Sequence, residues 1–167
     1  MSLSIALLTV SDSRSLADDP SGDALQQRLQ AAGHQLTARQ LVPDDRYCIR
    51  ALVSAWIADP AVQVVISCGG TGLTGRDGTP EAVAPLLDKR IEGFGELFRV
   101  LSFETIGTSS LQSRCLAGVA NGTLIFVLPG SVDAVQTGWD RLIAAQLDAS
   151  TRPCNLVQLL PRLREPG

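Results

Sequence analysis

The sequence contains few of the residues that several classes of protein require. Of its 167 residues one is histidine, His34, and four are cysteines that stand singly along the chain. Without clustered histidine and cysteine there is no pattern for a zinc site, and a single histidine gives no pattern for a serine-histidine-carboxylate triad. We interpret His34 as structural or exposed. The cysteines are typical of reduced, mostly buried thiols in a cytosolic protein.

An excess of positive charge and long hydrophobic runs are also missing. The net charge is −3, so the surface has no basic field for a polyanion and we predict no nucleic acid binding. No apolar stretch approaches the ~18 residues that a membrane span needs. The apolar start, MSLSIALLTV, lacks a positively charged leader and is interpreted as a first strand rather than a signal peptide. We expect a soluble, cytoplasmic protein with no membrane partner.

What the sequence does contain is an alternation of strand and helix patterns. Apolar or β-branched runs predict strands at 4–10, 36–42, 62–67 and 123–128. Helical periodicity predicts helices at 23–32, 45–58, 80–87, 94–102, 111–117 and 132–147. This alternation predicts one α/β domain over 1–150 with a mostly parallel sheet covered on both faces. Three prolines in 151–167 predict an extended arm of the same domain, which we expect to pack on a neighbouring surface.

A dense glycine cluster lies between a predicted strand and a predicted helix, in the stretch SCGGTGLTGRDGTPEA at 67–82. Residues 70–75 match the G-x-G-x-x-G dinucleotide fingerprint, but two features argue against such a site. The helix begins only at Pro80 and not within the glycines. The region about 20 residues later has a helical pattern, where the fingerprint needs an acidic residue at the end of a strand. A P-loop is not supported either, because Arg76 and Asp77 stand where it has lysine and a hydroxyl residue.

The strand, the glycine turn and a helix start capped by Thr79 nonetheless predict an anion site. Successive backbone N–H groups and a helix N-terminus both attract phosphate, and ligands of parallel sheets lie outside the carboxyl ends of the strands. The alternative is a glycine-rich turn that only reverses the chain.

Several motifs in a fixed order resemble the MoaB/MogA family of molybdenum cofactor biosynthesis. They are TVSDSR at 9–14, DPSGDAL at 19–25, LVPDD at 41–45, GGTG at 69–72, RDGTPEA at 76–82, GFGELFR at 93–99, IGTSSLQSR at 106–114 and LPGS at 128–131. The resemblance covers nearly the whole chain, and SFETIGTSSLQSR and TRPCNL are most similar to the MoaB members. It implies a three-layer α/β/α domain that assembles as a homotrimer or homohexamer.

The resemblance also implies an activity. Active members bind molybdopterin and transfer AMP from Mg-ATP to its terminal phosphate, releasing pyrophosphate, before a MoeA-type partner inserts the metal. The implied cofactor is Mg²⁺, and ATP and molybdopterin are the implied substrates. Because the family also includes MoaB proteins without this activity, the alternative is a non-catalytic molybdopterin carrier. A nicotinamide oxidoreductase would depend on the G-x-G-x-x-G match alone.

Two carboxylates, Asp44 and Asp77, match the acidic positions associated with activity in the family. Carboxylates beside phosphates repel them unless a Mg²⁺ ion lies between, so Asp77 is the predicted magnesium residue. Asp77 could instead pair with Arg76 or cap a turn, and one carboxylate of the Asp44-Asp45 pair could simply cap the next helix. The family's common RDVTP is RDGTP here, and we expect Gly78 to loosen the loop.

The residues assigned to substrate binding follow predicted strands or precede predicted helices. Glycine turns suit phosphate, and hydroxyls and a guanidinium suit phosphate or the polar edges of a pterin. The set comprises Ser11, Asp12, Gly69, Gly70, Thr71, Gly72, Ser109, Ser113, Arg114, Pro129, Gly130 and Ser131. For the serines the alternative is an ordinary polar helix start, with Ser131 as a plain cap.

Overall fold

A six-stranded sheet forms the middle layer of the computed structural model, which describes residues 1–166. Its strands are β1 Ser4–Val10, β2 Gln35–Val42, β3 Val64–Cys68, β4 Lys89–Arg90, β5 Leu116–Ala120 and β6 Thr123–Leu128. The order across the sheet is β2-β1-β3-β6-β5-β4. The first four strands in this order are parallel, and β5 is antiparallel to both of its neighbours. The predicted, mostly parallel sheet is confirmed.

Helices cover both faces of the sheet. They are α1 Pro20–Ala31, α2 Arg46–Ala58, α3 Thr79–Val83, α4 Glu92–Ile106, α5 Val132–Gly138 and α6 Ala144–Gln146, with a π-helical stretch Trp139–Ile143 joining the last two. Side chains alternate along β1, so Ile5 and Leu7 pack in the core under α1, α4 and α5, while Ala6 and Leu8 pack under α2 and α3. No helix within residues 1–166 is long and apolar enough to cross a membrane.

The predicted helix at 111–117 is wrong. A 3₁₀ helix, Gly107–Gln112, follows α4, and the chain then extends into β5. Asn121 and Gly122, both with positive φ, join β5 to β6 in a tight hairpin. An Asn-Gly pair between two apolar runs is a strong hairpin signal, and it outweighs the weak helical periodicity before it.

The segment after residue 151 differs from the predicted extended arm. Val157–Arg162 forms a short 3₁₀ helix, and Val157 is buried. Leu156, Leu160 and Leu163 pack against the core under α1, α4 and α5 of the same chain. Apolar residues spaced by three or four place one face of this helix against the core. The three prolines had indicated an extended chain instead.

The single histidine is structural. His34 is buried, its Nδ1 accepts the N–H of Leu3 at 3.2 Å, and its ring lies edge-on to Trp139 at 6.2 Å between centroids. Burial lowers the pKa of His34. The cysteines are all free, but Cys48 and Cys154 are exposed, so only half of them fit the prediction of buried thiols.

Candidate functional site

The loops that carry most of the predicted site residues meet at one edge of the sheet. The carboxyl ends of β1, β2, β3 and β6 lie there because these strands are parallel. The antiparallel β5 begins at the same edge, since Leu116 lies opposite Val127 near the end of β6. Residues 113–115 are thereby brought to the site. A helix at 111–117 would not have done this.

Gly69 and Gly70 make the turn directly after β3, with φ of +98° and +68°. A β-carbon on Gly69 would collide with the backbone oxygen of Val10 at the end of β1. One on Gly70 would collide with the hydroxyl of Thr79 and the carboxylate of Asp44. Because backbone conformation and close approach both exclude a side chain, only glycine fits at these two positions.

Thr79 closes the glycine turn, and it does not cap α3 as predicted. Its Oγ1 donates to the Gly69 carbonyl oxygen at 2.9 Å, and its N–H donates to that of Gly70 at 3.0 Å. Gly78, which we expected to loosen the loop, is held by donation of its N–H to Asp44 Oδ1 at 3.1 Å. Its φ of −134° is open to any residue, so the backbone does not require glycine in RDGTP.

Asp44 is a buried carboxylate with negative neighbours. Only 9% of the residue is exposed. Its burial raises its pKa, and the charges of Asp77 and Asp12 raise it further, against the N–H of Gly78 that lowers it. The Asp44 N–H donates to Asp12 Oδ1 at 3.0 Å, which joins the loops after β1 and β2.

The structure decides between the alternative partners of the charged residues. Arg76 pairs with Asp12 and not with Asp77: its Nε and Nη2 donate to the Asp12 carboxylate at 3.0 and 2.8 Å. This pairing lowers the pKa of Asp12. The cap of α2 is Asp45, whose Oδ1 accepts two N–H groups of the first turn at 2.9 Å. The Asp44 side chain is therefore free of the capping role.

The Asp77 carboxylate is fixed within the glycine loop. Its Oδ2 accepts the N–H of Thr74 at 2.9 Å and the Thr74 Oγ1 hydroxyl at 2.7 Å, and these donors lower the pKa of Asp77. Thr74 was not singled out in the sequence. In residues 1–166 no three His, Cys, Asp or Glu side chains are grouped so that they could hold a metal ion by themselves.

The turn after β6, residues 129–131, is tied to the loop after β1 and to the first turn of α1. The Gly130 carbonyl oxygen accepts from Ser21 Oγ at 2.7 Å and from Arg14 Nη1 at 3.2 Å. Ser131 caps α5, because its Oγ accepts the N–H of Ala134 at 3.1 Å. This is the plain helix cap that was the alternative to phosphate binding. Ser21 was not predicted, although it lies in the motif DPSGDAL, because its partner is 109 residues away.

The remaining hydroxyl residues differ in their surroundings. Ser11 Oγ accepts two N–H groups of its own loop, at 3.2 and 3.0 Å. Thr71 is buried in the glycine turn. Ser113 Oγ is buried without a hydrogen-bond partner in the described chain. Ser109 is exposed in the 3₁₀ helix after α4, and within residues 1–166 no hydrogen bond joins it to the glycine turn. Contact of these groups with a ligand stays a prediction.

Arg114 lies at this edge, with its guanidinium bound to the glycine loop. Nε and Nη2 donate to the Gly72 carbonyl oxygen at 2.9 and 2.6 Å, and Nη1 forms an ion pair with Glu81. Glu81 stands in the first turn of α3. The sequence gave no signal for the pairing of Glu81 with Arg114.

Comparison with known proteins gives one consistent family. The family model "Probable molybdopterin binding domain" matches residues 6–149. Molybdenum cofactor biosynthesis protein B of Escherichia coli K12 is 60% identical over 151 residues, which cover 90% of this chain and 89% of that protein. A crystal structure of a molybdenum cofactor biosynthesis protein B superposes with a TM-score of 0.88 at 38% identity, covering 98% and 96% of the two chains. MoaB of Pyrococcus furiosus, described as a tungsten cofactor synthesizing protein, gives 0.77 at 33% identity, covering 98% of each.

Proposed function

The chain belongs to the MoaB family of molybdenum cofactor biosynthesis proteins, and we propose that it binds molybdopterin and adenylylates it with Mg-ATP, releasing pyrophosphate. The observation that supports this most is the presence of two carboxylates beside a turn that has no room for side chains. The pKa of one, Asp44, is raised, and the pKa of the other, Asp77, is lowered. A pterin carrier needs the turn, whereas a buried carboxylate beside it repels an anionic ligand unless a cation lies between them.

The glycine turn is the proposed phosphate cradle. Gly69 uses its N–H within the protein, since it donates to the carbonyl oxygen of Leu128 at 3.0 Å. The N–H groups of Gly70 and Thr71 donate to no protein acceptor in residues 1–166, so phosphate oxygens can accept from them. The position that a β-carbon of Gly70 would take is occupied by the Thr79 hydroxyl and the Asp44 carboxylate, so Asp44 lies directly beside this backbone.

Asp44 and Asp77 suit a magnesium ion bound together with phosphates. Mg²⁺ takes one or two carboxylates and completes its coordination with water and substrate oxygens, so it does not need a protein cluster of three ligands. Burial is the main cause that raises the pKa of Asp44, and the charge of Asp77 raises it further; a divalent cation would relieve this repulsion. When bound, the ion neutralises charge that develops on the phosphates.

The proposed reaction requires two polyanions to be held in line. An oxygen of the terminal phosphate of molybdopterin forms a bond to the α-phosphorus of ATP while the bond to pyrophosphate breaks. The protein's part is positioning and charge neutralisation. The loops after β1, β2 and β3 are joined by Asp12, which binds both Arg76 and the Asp44 N–H. The two carboxylates therefore sit on loops that are fixed to each other.

The function is tested by mixing the purified protein with molybdopterin, ATP and Mg²⁺ and measuring pyrophosphate and adenylylated pterin together. We expect equal amounts of both, and neither when EDTA removes the metal. Pterin binding without either product would show the carrier function instead. A fluorescence change on titration with NADH would favour the oxidoreductase, and we expect none. The adenylylated product would pass to a MoeA-type metal-insertion protein.

An apolar stripe on α4 supports the proposed homotrimer or homohexamer. Its residues, spaced by three, are more than half exposed: Leu97, Val100, Phe103 and Ile106. Such a stripe on a soluble protein indicates a covered surface. We expect a solution mass of three or six chains by light scattering, and the Phe103→Asp variant should shift it toward one chain. A single-chain mass for the unchanged protein at micromolar concentration would contradict the assembly.

A further inference from the structure

All three nitrogens of the Arg114 guanidinium are engaged by acceptors of the protein. Nε and Nη2 donate to the Gly72 carbonyl oxygen, and Nη2 also reaches the Asp77 carbonyl oxygen at 3.4 Å. Nη1 is paired with Glu81. The side chain is 28% exposed. These contacts use four of the five N–H groups and leave one on Nη1, so a phosphate could accept a forked pair of hydrogen bonds from this guanidinium only by displacing one of these partners.

The two carbonyl groups that Arg114 binds bracket the exposed part of the glycine loop. Residues 73–76 between them are exposed, and Gly75 is surrounded by open space. Few buried contacts therefore order this segment. Arg114 precedes β5 on the far side of β6 and binds both ends of the segment, so it limits how far Gly72 and Asp77 can move apart.

Glu81 is itself held in place for this pairing. Arg50 on α2 donates to the Glu81 carbonyl oxygen at 2.8 Å and to that of Ala82 at 3.2 Å. Pairing with Arg114 lowers the pKa of Glu81, so the carboxylate stays charged. Its second oxygen is buried and has no hydrogen-bond partner in residues 1–166. Among the described residues the Glu81 carboxylate therefore has Arg114 as its hydrogen-bond partner, through Oε1.

We propose that Arg114 is a positioning residue: with Glu81 it holds Gly72 and Asp77 so that the phosphate cradle and the Asp77 carboxylate keep their relative positions, and it does not contact the ligand. The inference rests on the proposed function for the identity of the ligand. The contacts that carry it are present without any ligand.

The Glu81→Gln variant separates positioning from direct contact, because the two roles predict changes of opposite sign. If Arg114 bound a phosphate, removing the charge of Glu81 would release the guanidinium and tighten Mg-ATP binding. If Arg114 positions the loop, the weaker pairing loosens Gly72 and Asp77, and Mg-ATP binding weakens by roughly 3- to 10-fold. Titration calorimetry with Mg²⁺ and α,β-methylene-ATP, which cannot release pyrophosphate, in the presence of molybdopterin measures the direction.

A second measurement needs no ligand. Hydrogen exchange of the amides at 72–78 should be about 10- to 100-fold faster in Arg114→Gln, with Arg114→Lys intermediate because lysine keeps the charge and loses the forked geometry. Arg28→Gln is the matched control. It breaks a similar two-nitrogen pairing with Asp140, far from the site, and should leave exchange at 72–78 unchanged.

The outcomes distinguish this inference from the proposed function. Unchanged exchange at 72–78 in Arg114→Gln would overturn the positioning role, whether or not the protein forms adenylylated pterin. Tighter Mg-ATP binding by Glu81→Gln would overturn it as well. Faster exchange in Arg114→Gln, in a protein that releases no pyrophosphate in any form, would support the positioning role and count against the adenylyltransferase.

Discussion

The Asp77→Asn variant is expected to lose magnesium-dependent pyrophosphate release by ~100-fold or more while the fold and pterin binding remain. Asparagine has nearly the same shape, and its amide oxygen can accept the N–H and hydroxyl of Thr74 as Asp77 Oδ2 does at 2.9 and 2.7 Å. What the variant lacks is the negative charge toward the cation. Because the Thr74 donors lower the pKa of Asp77, the carboxylate is fully ionised at neutral pH and the loss should not depend on pH there.

Initial rates of pyrophosphate release over a range of Mg²⁺ concentrations measure this effect. Asp88→Asn is the matched control: Asp88 Oδ2 also accepts a backbone N–H, that of Asn121 at 2.7 Å, but at the β5-β6 hairpin, which is at the opposite edge of the sheet. The control should retain turnover and its magnesium dependence. Equal rates for Asp77→Asn and the unchanged protein would show that Asp77 is not the magnesium residue.

The sequence predicted those parts of the fold that depend on local pattern. The bounds of β1 and β6 are as predicted, because both strands are apolar runs buried on both faces. β5 was missed because LAGVA is short and contains Gly118, where a β-carbon would collide with the backbone oxygen of Lys89 in β4. That glycine is explained by strand packing, which exists only once the sheet has formed.

The candidate site was predictable as a set of loops and not as a set of contacts. Parallel strands bring their carboxyl ends together, so the motifs after β1, β2, β3 and β6 had to meet. The choice of partners could not be read from spacing. Arg76 could pair with its neighbour Asp77, yet it pairs with Asp12, 64 residues away. Arg114 binds Gly72 because β5 is antiparallel to β6, whereas the periodicity of 111–117 predicts a helix there.

The Gly69→Ala variant is expected to lower the free energy of unfolding by ~3 kcal/mol or more, the largest effect of a one-carbon change at this site. Its φ of +98° is unfavourable for any residue with a β-carbon. That carbon would also collide with the backbone oxygen of Val10, which pairs with Val42 in the sheet and has little freedom to move. Collision with a strand backbone cannot be relieved by a change of rotamer.

Gly75→Ala provides the comparison within the same loop. A β-carbon on Gly75 has nothing within 4 Å, and Gly75 is not among the glycines with positive φ. Its replacement should change stability by less than about 1 kcal/mol. Urea unfolding of both variants measures the difference. Equal midpoints would show that β1 and the turn after β3 can move apart, in which case the close approach at Gly69 would not be what fixes the phosphate cradle against the sheet.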